Sequence, residues 1–412
     1  MSSSLVSAQN RVESPFIKVT IGEYSFGHCT KSADASRMSV TFPNYMESLN
    51  INKINGTVNT YTINMVYAIT EANDPNLLER VFGSIANSRI ITISYGDWNA
   101  PAFIYKEEKA IITKIATNID FNNSRIKYTL TCTSTALALK AGTFTFNPRF
   151  AKPSTVLFEL LEDQERGLTD IFTGMKNISE VRFKNLIQTD DKEVQIERKE
   201  SMNIMDYINY LVSCMVSVND KGTGIKDSNY YWAVYDDTNN EMGGPYFKVL
   251  RVDAKVKHNI SYNTYEVDVG YPSGNYITSF SLNNNESWSI LYEHSADIEL
   301  PQYSYTIDNE GKIVETYSPN ITTSEAYKRT TESSRSWWTK MTQFPITAKM
   351  TIKGLLRPAL LMSYVKVNAY FYGHKHVSSG LYIITKQEDV IDSSGYKTTL
   401  SLTRISGDES YA

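Results

Sequence analysis

The feature that most restricts how this 412-residue chain can fold is a short pattern that occurs twice. Ile111-Ile112-Thr113-Lys114 is followed by an acidic, Asn-rich turn and then Ile126-Lys127-Tyr128-Thr129-Leu130-Thr131-Cys132. Ile383-Ile384-Thr385-Lys386 is followed by a turn through Asp389, Asp392 and Gly395, then Tyr396-Lys397-Thr398-Thr399-Leu400-Ser401-Leu402. Each copy is rich in β-branched and aromatic residues on both sides of a polar turn, so each reads as a β-hairpin. Each hairpin closes a β-rich stretch. A chain that carries one antiparallel module twice can offer two similar surfaces to a symmetric partner. Chance likeness between the ends of two generic β-domains is the competing reading, because Ile-Ile-Thr-Lys is short and strand-like.

The rest of the chain supports the same division. Strands are expected near 15–24, at 38–42 before Pro43, and at 57–67, where Val58, Tyr61, Ile63, Met65 and Tyr67 alternate with polar residues. Asp74 and Pro75 suit a helix N-terminus, with Leu77, Leu78, Val81, Phe82 and Ile85 following at helical spacing. A strand at 89–95, a turn at Gly96-Asp97 and the hairpin at 109–134 complete the first module. One short helix cannot cover both faces of a sheet, so the sheet must curl or pair with another. Between 153 and 218 the pattern changes. Short helices are expected at 156–161 and 168–172, strands at 178–186 and 194–196, and a helix at 202–218. A flexible turn through Asp220, Lys221, Gly222, Thr223 and Gly224 precedes strands at 230–235 and 246–252. Strands resume at 277–282 and 288–292. A hairpin spans 303–317, turning at Asn309-Glu310-Gly311. A largely polar helix at 323–341, anchored by Tyr327, Trp337 and Trp338, holds the same ordinal place as the helix after Pro75. Strands at 346–352, 364–371, 381–385 and 398–405 end the second module. The expected architecture is mainly β with an α+β character: a first module over 1–150, a small α+β domain over 151–270, and a second module over 271–412.

Composition bounds the function. The formal charge is -4, from 45 Asp and Glu against 41 Lys and Arg, and no Lys/Arg block exceeds two residues. A duplex-DNA binder usually carries a basic excess or a dense basic face. A pore that passes DNA without holding it avoids a positive wall, and this balance permits one. Cys29, Cys132 and Cys214 are too far apart for a disulfide framework or a metal spacing. The stretch 1–12 is polar and lacks a signal-peptide core, and no run of 18 apolar residues suggests a membrane span. The 28 tyrosines suit half-buried strands and wet protein interfaces alike.

Chemistry finds little support. His374 and His376, two apart, could share one face of a strand and a metal, but a solvated surface turn between Phe371 and Leu381 accounts for them better. His28 and Cys29 are adjacent and point apart in an extended chain. No nucleophile elbow or phosphate loop is present. Asp236-Asp237 or Glu159, Glu162 and Asp163 could be offered as the carboxylate pair of a glycosidase, but a chain with 45 acidic residues supplies such pairs freely. No catalytic residue, cofactor site or metal site is therefore expected.

The stretch from Phe344-Pro345-Ile346 to Ile405 resembles the baseplate hub protein of tailed bacteriophages and related contractile injection systems. The likeness rests on Lys353-Gly354-Leu355-Leu356-Arg357-Pro358, Gly380-Leu381-Tyr382-Ile383-Ile384 and Gln387-Glu388-Asp389-Val390-Ile391-Asp392. The closing run Gly395-Tyr396-Lys397-Thr398-Thr399-Leu400-Ser401-Leu402-Thr403-Arg404-Ile405 completes it. Residues 1–145 are similar to the family's first barrel more faintly, and the middle third matches by order only. The resemblance implies two tail-tube-like β-barrel modules per subunit and a homotrimer whose six modules form a pseudo-hexameric ring. One face would meet the hexameric tail tube and the other a trimeric central spike. Surrounding baseplate proteins would contact the ring, and DNA would pass through its bore. It implies no catalytic residues, a place in the virion's tail baseplate, and synthesis in the host cytoplasm. Trp337-Trp338 would be a packing or interface anchor, with a role inside the subunit equally open. The alternative is a tail-tube or tail-tip adapter with the same modules and no spike partner.

Overall fold

The structure is a computed structural model. It describes residues 15–22, 24–29, 46–69, 76, 80–81, 89–97, 106–163, 167–215, 228–238, 242–253, 264–269, 277–284, 303–307, 313–317, 346–353, 361–376 and 378–407. The first third holds β1 (Pro15–Ile21), β2 (Tyr24–Cys29), β3 (Met46–Ile54), β4 (Thr60–Ala68), β5 (Ile90–Asp97), β6 (Lys106–Asp120) and β7 (Arg125–Ser134). The middle holds β8 (Phe144–Phe146), β9 (Arg149–Ala151), α1 (Pro153–Glu162), α2 (Leu168–Ile171), α3 (Glu180–Leu186), β10 (Val194–Ile196), β11 (Lys199–Met202), α4 (Ile204–Cys214), β12 (Ser228–Tyr235) and β13 (Tyr246–Asp253). The last part holds β14 (Thr264–Val269), β15 (Ile277–Asn284), β16 (Tyr303–Ile307), β17 (Ile313–Tyr317) and β18 (Ile346–Lys353). It ends with β19 (Tyr364–Phe371), β20 (His374–Lys375), β21 (Gly380–Asp392) and β22 (Gly395–Gly407).

The two ends of the chain form one 14-stranded sheet, ordered β15-β18-β22-β21-β3-β4-β7-β6-β5-β1-β2, with β19 and its partners β14 and β20 branching from β21. The expectation of two closed β-barrel modules is therefore overturned: no sheet among the described residues closes on itself. The physical reason lies at β21. Its outer edge pairs first with β19, through Tyr364↔Ile383 to Val367↔Gly380, and then with β3 of the other module, through Lys386↔Ile54 to Asp392↔Ser48. β3 is the end strand of the first module, so the edge bonds it would use to close that module on itself are used to join the two modules.

The duplication is present in the strand order. The first module runs β3-β4-β7-β6-β5-β1 and the second β15-β18-β22-β21-β19-β14, and each position is filled by the strand of the same rank along the chain. Irregularities repeat as well. The β6–β7 ladder shifts register between Ile112 and Lys114, and the β21–β22 ladder between Ile384 and Lys386. The extra residues of these two bulges are Thr113 and Thr385, and each hydroxyl donates to the carbonyl of the opposite strand, at Thr131 and Ser401. A second pair of shifts falls between Met46 and Ser48 on β3 and between Ile277 and Ser279 on β15. With bulges at matched positions, the likeness of the two modules extends beyond their closing hairpins to the whole ladder order. One difference stands: β1 pairs β5 antiparallel, whereas β14 pairs β19 parallel.

Strict alternation builds the core. On β4, Tyr61, Ile63, Met65 and Tyr67 are buried while Thr60, Thr62, Asn64 and Val66 are less so. The shared apolar core runs from Ile17, Leu49 and Tyr128 of the first module to Met350, Tyr382 and Leu402 of the second. The middle unit has its own core, where Phe146 stacks on Tyr207 of α4 and Phe172 meets Phe247 edge-on. Pro153 opens α1, and the Asn203 side chain caps α4 by accepting from the Asp206 N–H. The strand expected at 178–186 is instead α3 over 180–186. Ser179 accepts from the Arg182 N–H, a cap that outweighs the apparent alternation, and Val181 faces solvent. Gly96 and Asp97 do not turn the chain; they extend β5 by pairing with Phe16 and Pro15. The expected strands at 38–42 and 288–292, the turn at 220–224, the helix at 323–341 and most of the helix after Pro75 lie outside the described residues.

One glycine contact in the middle unit is tight enough to test. A Cβ on Gly244 would lie 2.2 Å from Thr173 Oγ1, and one on Gly174 would lie 2.5 Å from the Gly244 carbonyl oxygen. Gly174 also donates its N–H to Pro245. Backbone passes against backbone here, so Gly174→Ala is expected to cost about 1–3 kcal/mol by overpacking. Urea unfolding checks this; an unchanged midpoint would mean that the two segments separate at little cost.

Candidate functional site

Among the described residues, the joint between the modules holds an extended buried polar network. β3 brings Lys53 opposite Gln387 of β21. β4 contributes Tyr61, β5 Tyr95, β6 Lys106 and Glu108, and β7 Ser134. The end of β12 lies against β6, with the Thr238 N–H donating to the Glu107 carbonyl at 2.8 Å, and so delivers Asp236 and Asp237. The inserted unit, the first module and the second module all meet here.

Lys53 Nζ forms a buried ion pair with Glu108 and also donates to Tyr95 Oη at 3.2 Å. Tyr95 Oη donates to the same Glu108 oxygen at 2.8 Å. Tyr61 Oη spans two carboxylates, at 2.5 Å from Glu108 Oε2 and 3.1 Å from Asp236 Oδ2. Asp236 further accepts from Asn59 Nδ2 at 2.7 Å and from the Ser134 hydroxyl. Lys106 Nζ pairs with Asp237 at 2.6 Å. On the other side of the joint, Asp389 accepts from Gln387 Nε2 at 2.7 Å and Thr398 Oγ1 at 2.6 Å, and Gln387 Oε1 accepts the Leu361 N–H.

Two lysines face four carboxyl groups, and the titration of the cluster reflects the imbalance. Burial raises Asp236 to about 6, helped by the charge of Glu108, and burial raises Asp389 to about 6. Burial also pulls the Glu108 carboxyl upward, but Lys53, Lys106 and the hydrogen bonds from Lys53 and Tyr61 more than offset it, leaving Glu108 below its ordinary value. Burial depresses Lys53, yet Glu108 first, then Asp389 and Asp236, leave it above its ordinary value. Lys106 is lowered, by burial and then by its neighbour Lys53. Burial, and after it the nearby carboxylates, hold the phenols of Tyr61 and Tyr95 well above the usual range.

This arrangement fastens elements together. Glu108 is 0% and Asp236 1% exposed. A carboxylate pair for glycoside hydrolysis must face a sugar across a cleft; of the pair suggested by sequence, Asp236 is bonded to Asn59, Tyr61 and Ser134 and Asp237 is paired with Lys106. Two concavities formed by described residues, about 430 and 260 Å³, lie elsewhere, beside α1 in the middle unit. The Glu159 and Asp163 side chains line the smaller, and Glu162 the larger. His374 and His376 are both exposed; His374 sits in the short β20 and His376 contacts Ser378 Oγ at 2.9 Å through Nδ1. Among the described residues no group of three or more His, Cys, Asp or Glu could hold a metal. Cys132 and Cys214 are buried and not joined in a disulfide. Trp337-Trp338 lies outside the described residues.

Of the joint residues, only Asp236 and Asp237 are candidate site residues in the sequence, and those for another role; Tyr61, Gln387, Asp389 and Thr398 read there only as parts of strands and turns. The one available signal was Lys106-Glu107-Glu108-Lys109 at the start of an apolar strand, where inward-facing charges call for partners.

The remaining surface of note is the far half of the β6–β7 hairpin. β5 covers β6 only as far as Ile111. From Thr113 to Ile119 β6 is exposed on both faces, with Ile115, Ile119 and, at the turn, Phe121 in solvent. Asp120 shapes that turn by accepting from the Asn122 and Asn123 N–H groups, just as Asp392 accepts from the Ser394 N–H in the other hairpin. At the opposite end of the sheet β15 is the last strand, and Leu282 is exposed.

No protein-family model and no curated protein matches this chain. Solved structures do. The 43 kDa tail protein of prophage MuSo2 from Shewanella oneidensis matches with a TM-score of 0.51 at 11% identity, over 95% of this chain and 98% of that one. A tail protein from Neisseria meningitidis MC58 matches with a TM-score of 0.50 at 8% identity, over 94% and 96%. At these identities the likeness is one of fold, and it extends over nearly the whole of each chain.

Proposed function

We propose that this protein is the structural baseplate hub of a phage tail or related contractile injection system. In this reading three copies form a pseudo-hexameric ring. The ring joins the hexameric tail tube to the central spike and lets DNA pass during ejection. The chain divides into 1–150, 151–270 and 271–412, with the outer two parts forming the ring and the middle part set beside them. It is made in the host cytoplasm and ends in the virion, at the tail baseplate, in contact with surrounding baseplate proteins.

The observation that carries the reading is the duplication: two modules of one strand order, with bulges at matched positions, joined rigidly within one chain. Three such chains supply six pseudo-equivalent blocks, which is what a threefold object needs to meet a sixfold one. The near-neutral balance of charge suits a bore that releases DNA. The fold shared with two tail proteins supports the same placement. The inaccessible carboxylate cluster and the buried thiols fit a mechanical part better than a catalyst.

Native mass spectrometry and a symmetry-free density map of the assembled particle test the proposal. The expected result is three copies around the tail axis and co-purification with a spike. Six copies without affinity for a spike would reassign the protein as a tube or tail-tip adapter, and a single copy in the particle would end the ring reading.

A further inference from the structure

We infer that β6 of one copy pairs antiparallel with β15 of the next, in the register already used inside the chain between β21 and β3. This rests on the ring reading and specifies its interface. The sheet would then run on without a break from one subunit to its neighbour.

The argument is one of equivalence. β21 corresponds to β6 and β3 to β15, by strand order and by the matched bulges at Thr113 and Thr385 and at Met46–Ser48 and Ile277–Ser279. Within the chain, the outer half of β21 is covered by β3. The corresponding outer half of β6, residues 114–120, pairs with β7 on one side only, and among the described residues neither its other edge nor the outer edge of β15 is covered by a strand. One chain thus holds one made joint and both halves of a second. Carrying Ile391↔Leu49, Val390↔Asn50, Asp389↔Ile51 and Gln387↔Lys53 across the equivalence gives Ile119↔Phe280, Asn118↔Ser281, Thr117↔Leu282 and Ile115↔Asn284.

Burial shows what each half lacks. Ile391 is 0% exposed under β3, while its counterpart Ile119 is 46% exposed. Ile51 is 2% exposed against β21, while its counterpart Leu282 is 38% exposed. The same positions on the same ladder are core where the partner strand is present and surface where it is absent. Ile115, Ile119 and Leu282 are among the few large apolar side chains exposed on the described sheet, and all three fall on these two edges. Open apolar edges invite strand addition. Because the two edges differ, the contact is head-to-tail, and such contacts close into a ring when the rotation per subunit divides a full turn. The second joint also differs in chemistry. Gln387, Asp389 and Lys53 of the inner joint are replaced by Ile115, Thr117 and Asn284, so a contact that must form between separate molecules avoids burying charge.

Paired cysteines in the full chain test the register. Thr117→Cys with Leu282→Cys, and Asn118→Cys with Ser281→Cys, sample both kinds of ladder position. Mild oxidation of either pair is expected to give a ladder of cross-linked chains ending at three, with at least tenfold less product from each single-cysteine variant. Hydrogen exchange should show amides of 114–120 and 279–284 slowing together as the protein associates. A trimeric mass with neither cross-link nor protection would overturn this pairing and leave the ring reading intact. A chain that stays single at millimolar concentration, with both edges exchanging freely, would overturn both.

Discussion

Lys53→Met is expected to lower the unfolding free energy by about 3–5 kcal/mol, the usual consequence of removing one member of a buried ion pair. Methionine keeps the unbranched shape and all but the last atom of the side chain, so packing is largely retained and the loss is mainly electrostatic. Glu108 would be left between Tyr61 and Tyr95 with no adjacent cation closer than Lys106, whose own partner is Asp237. Glu108→Gln should cost a similar amount, because it leaves Lys53 uncompensated. The double variant Lys53→Met/Glu108→Gln is expected to be more stable than the sum of the single losses allows, since neither charge then remains buried alone. Urea unfolding of the four proteins closes the cycle. Additive losses would mean that the two side chains act independently, contrary to the geometry at the joint. The expected damage is also local: Lys53 stands opposite Gln387 across the β3–β21 ladder, so amides of that ladder should lose exchange protection before those of α1 or α4.

The second large effect is a dependence of stability on pH that runs against acid denaturation. Asp236 and Asp389 titrate near 6 when folded, against 3.8 for the ordinary side chain. Below the ordinary value both states hold the proton and neither group changes stability. As pH rises from about 4 to about 6, the unfolded chain releases protons that the folded chain retains, so stability falls, and above that window the loss is constant. Each group accounts for on the order of 3 kcal/mol. Glu108 acts in the opposite sense: its depressed value contributes stability that is present at neutral pH and lost as pH falls through its folded value. Asp389→Asn should therefore flatten about half of the decline between pH 4 and 6, measured as the urea midpoint against pH. A slope unchanged by that substitution would show Asp389 already ionised in the folded chain. Both effects concern the contact between modules, so a joint that tightens in mild acid is the expected behaviour of the isolated chain.

Several elements are legible in the sequence itself. The alternation from Tyr61 to Tyr67 became a strand buried on one face, and the turn signal at Asn309-Glu310-Gly311 separates two strands that do pair. The apolar spacing of Ile204, Met205, Ile208, Leu211 and Val212 became the buried face of α4. These patterns are local, and burial on one face imposes a period that a reader can count. The error at 178–186 has the same origin in reverse: a Ser179 cap and a single buried Phe183 define a short helix, and seven residues are too few for the period to declare itself. The carboxylate cluster was not legible. Tyr61 and Asp236 lie far apart in the chain and meet only because the end of β12 is laid against β6.

Sequence alone determined that one antiparallel hairpin occurs twice, because side chains alternating about a strand leave a pattern in the chain itself. It also set a weak net charge. Only the tertiary structure decided that the modules share one open sheet, since an edge strand offers the same backbone donors and acceptors to any partner and no residue pattern says which one will take them. At β21 the partner is β3 of the other module, and the buried Lys53, Glu108 and Asp236 hold that choice in place.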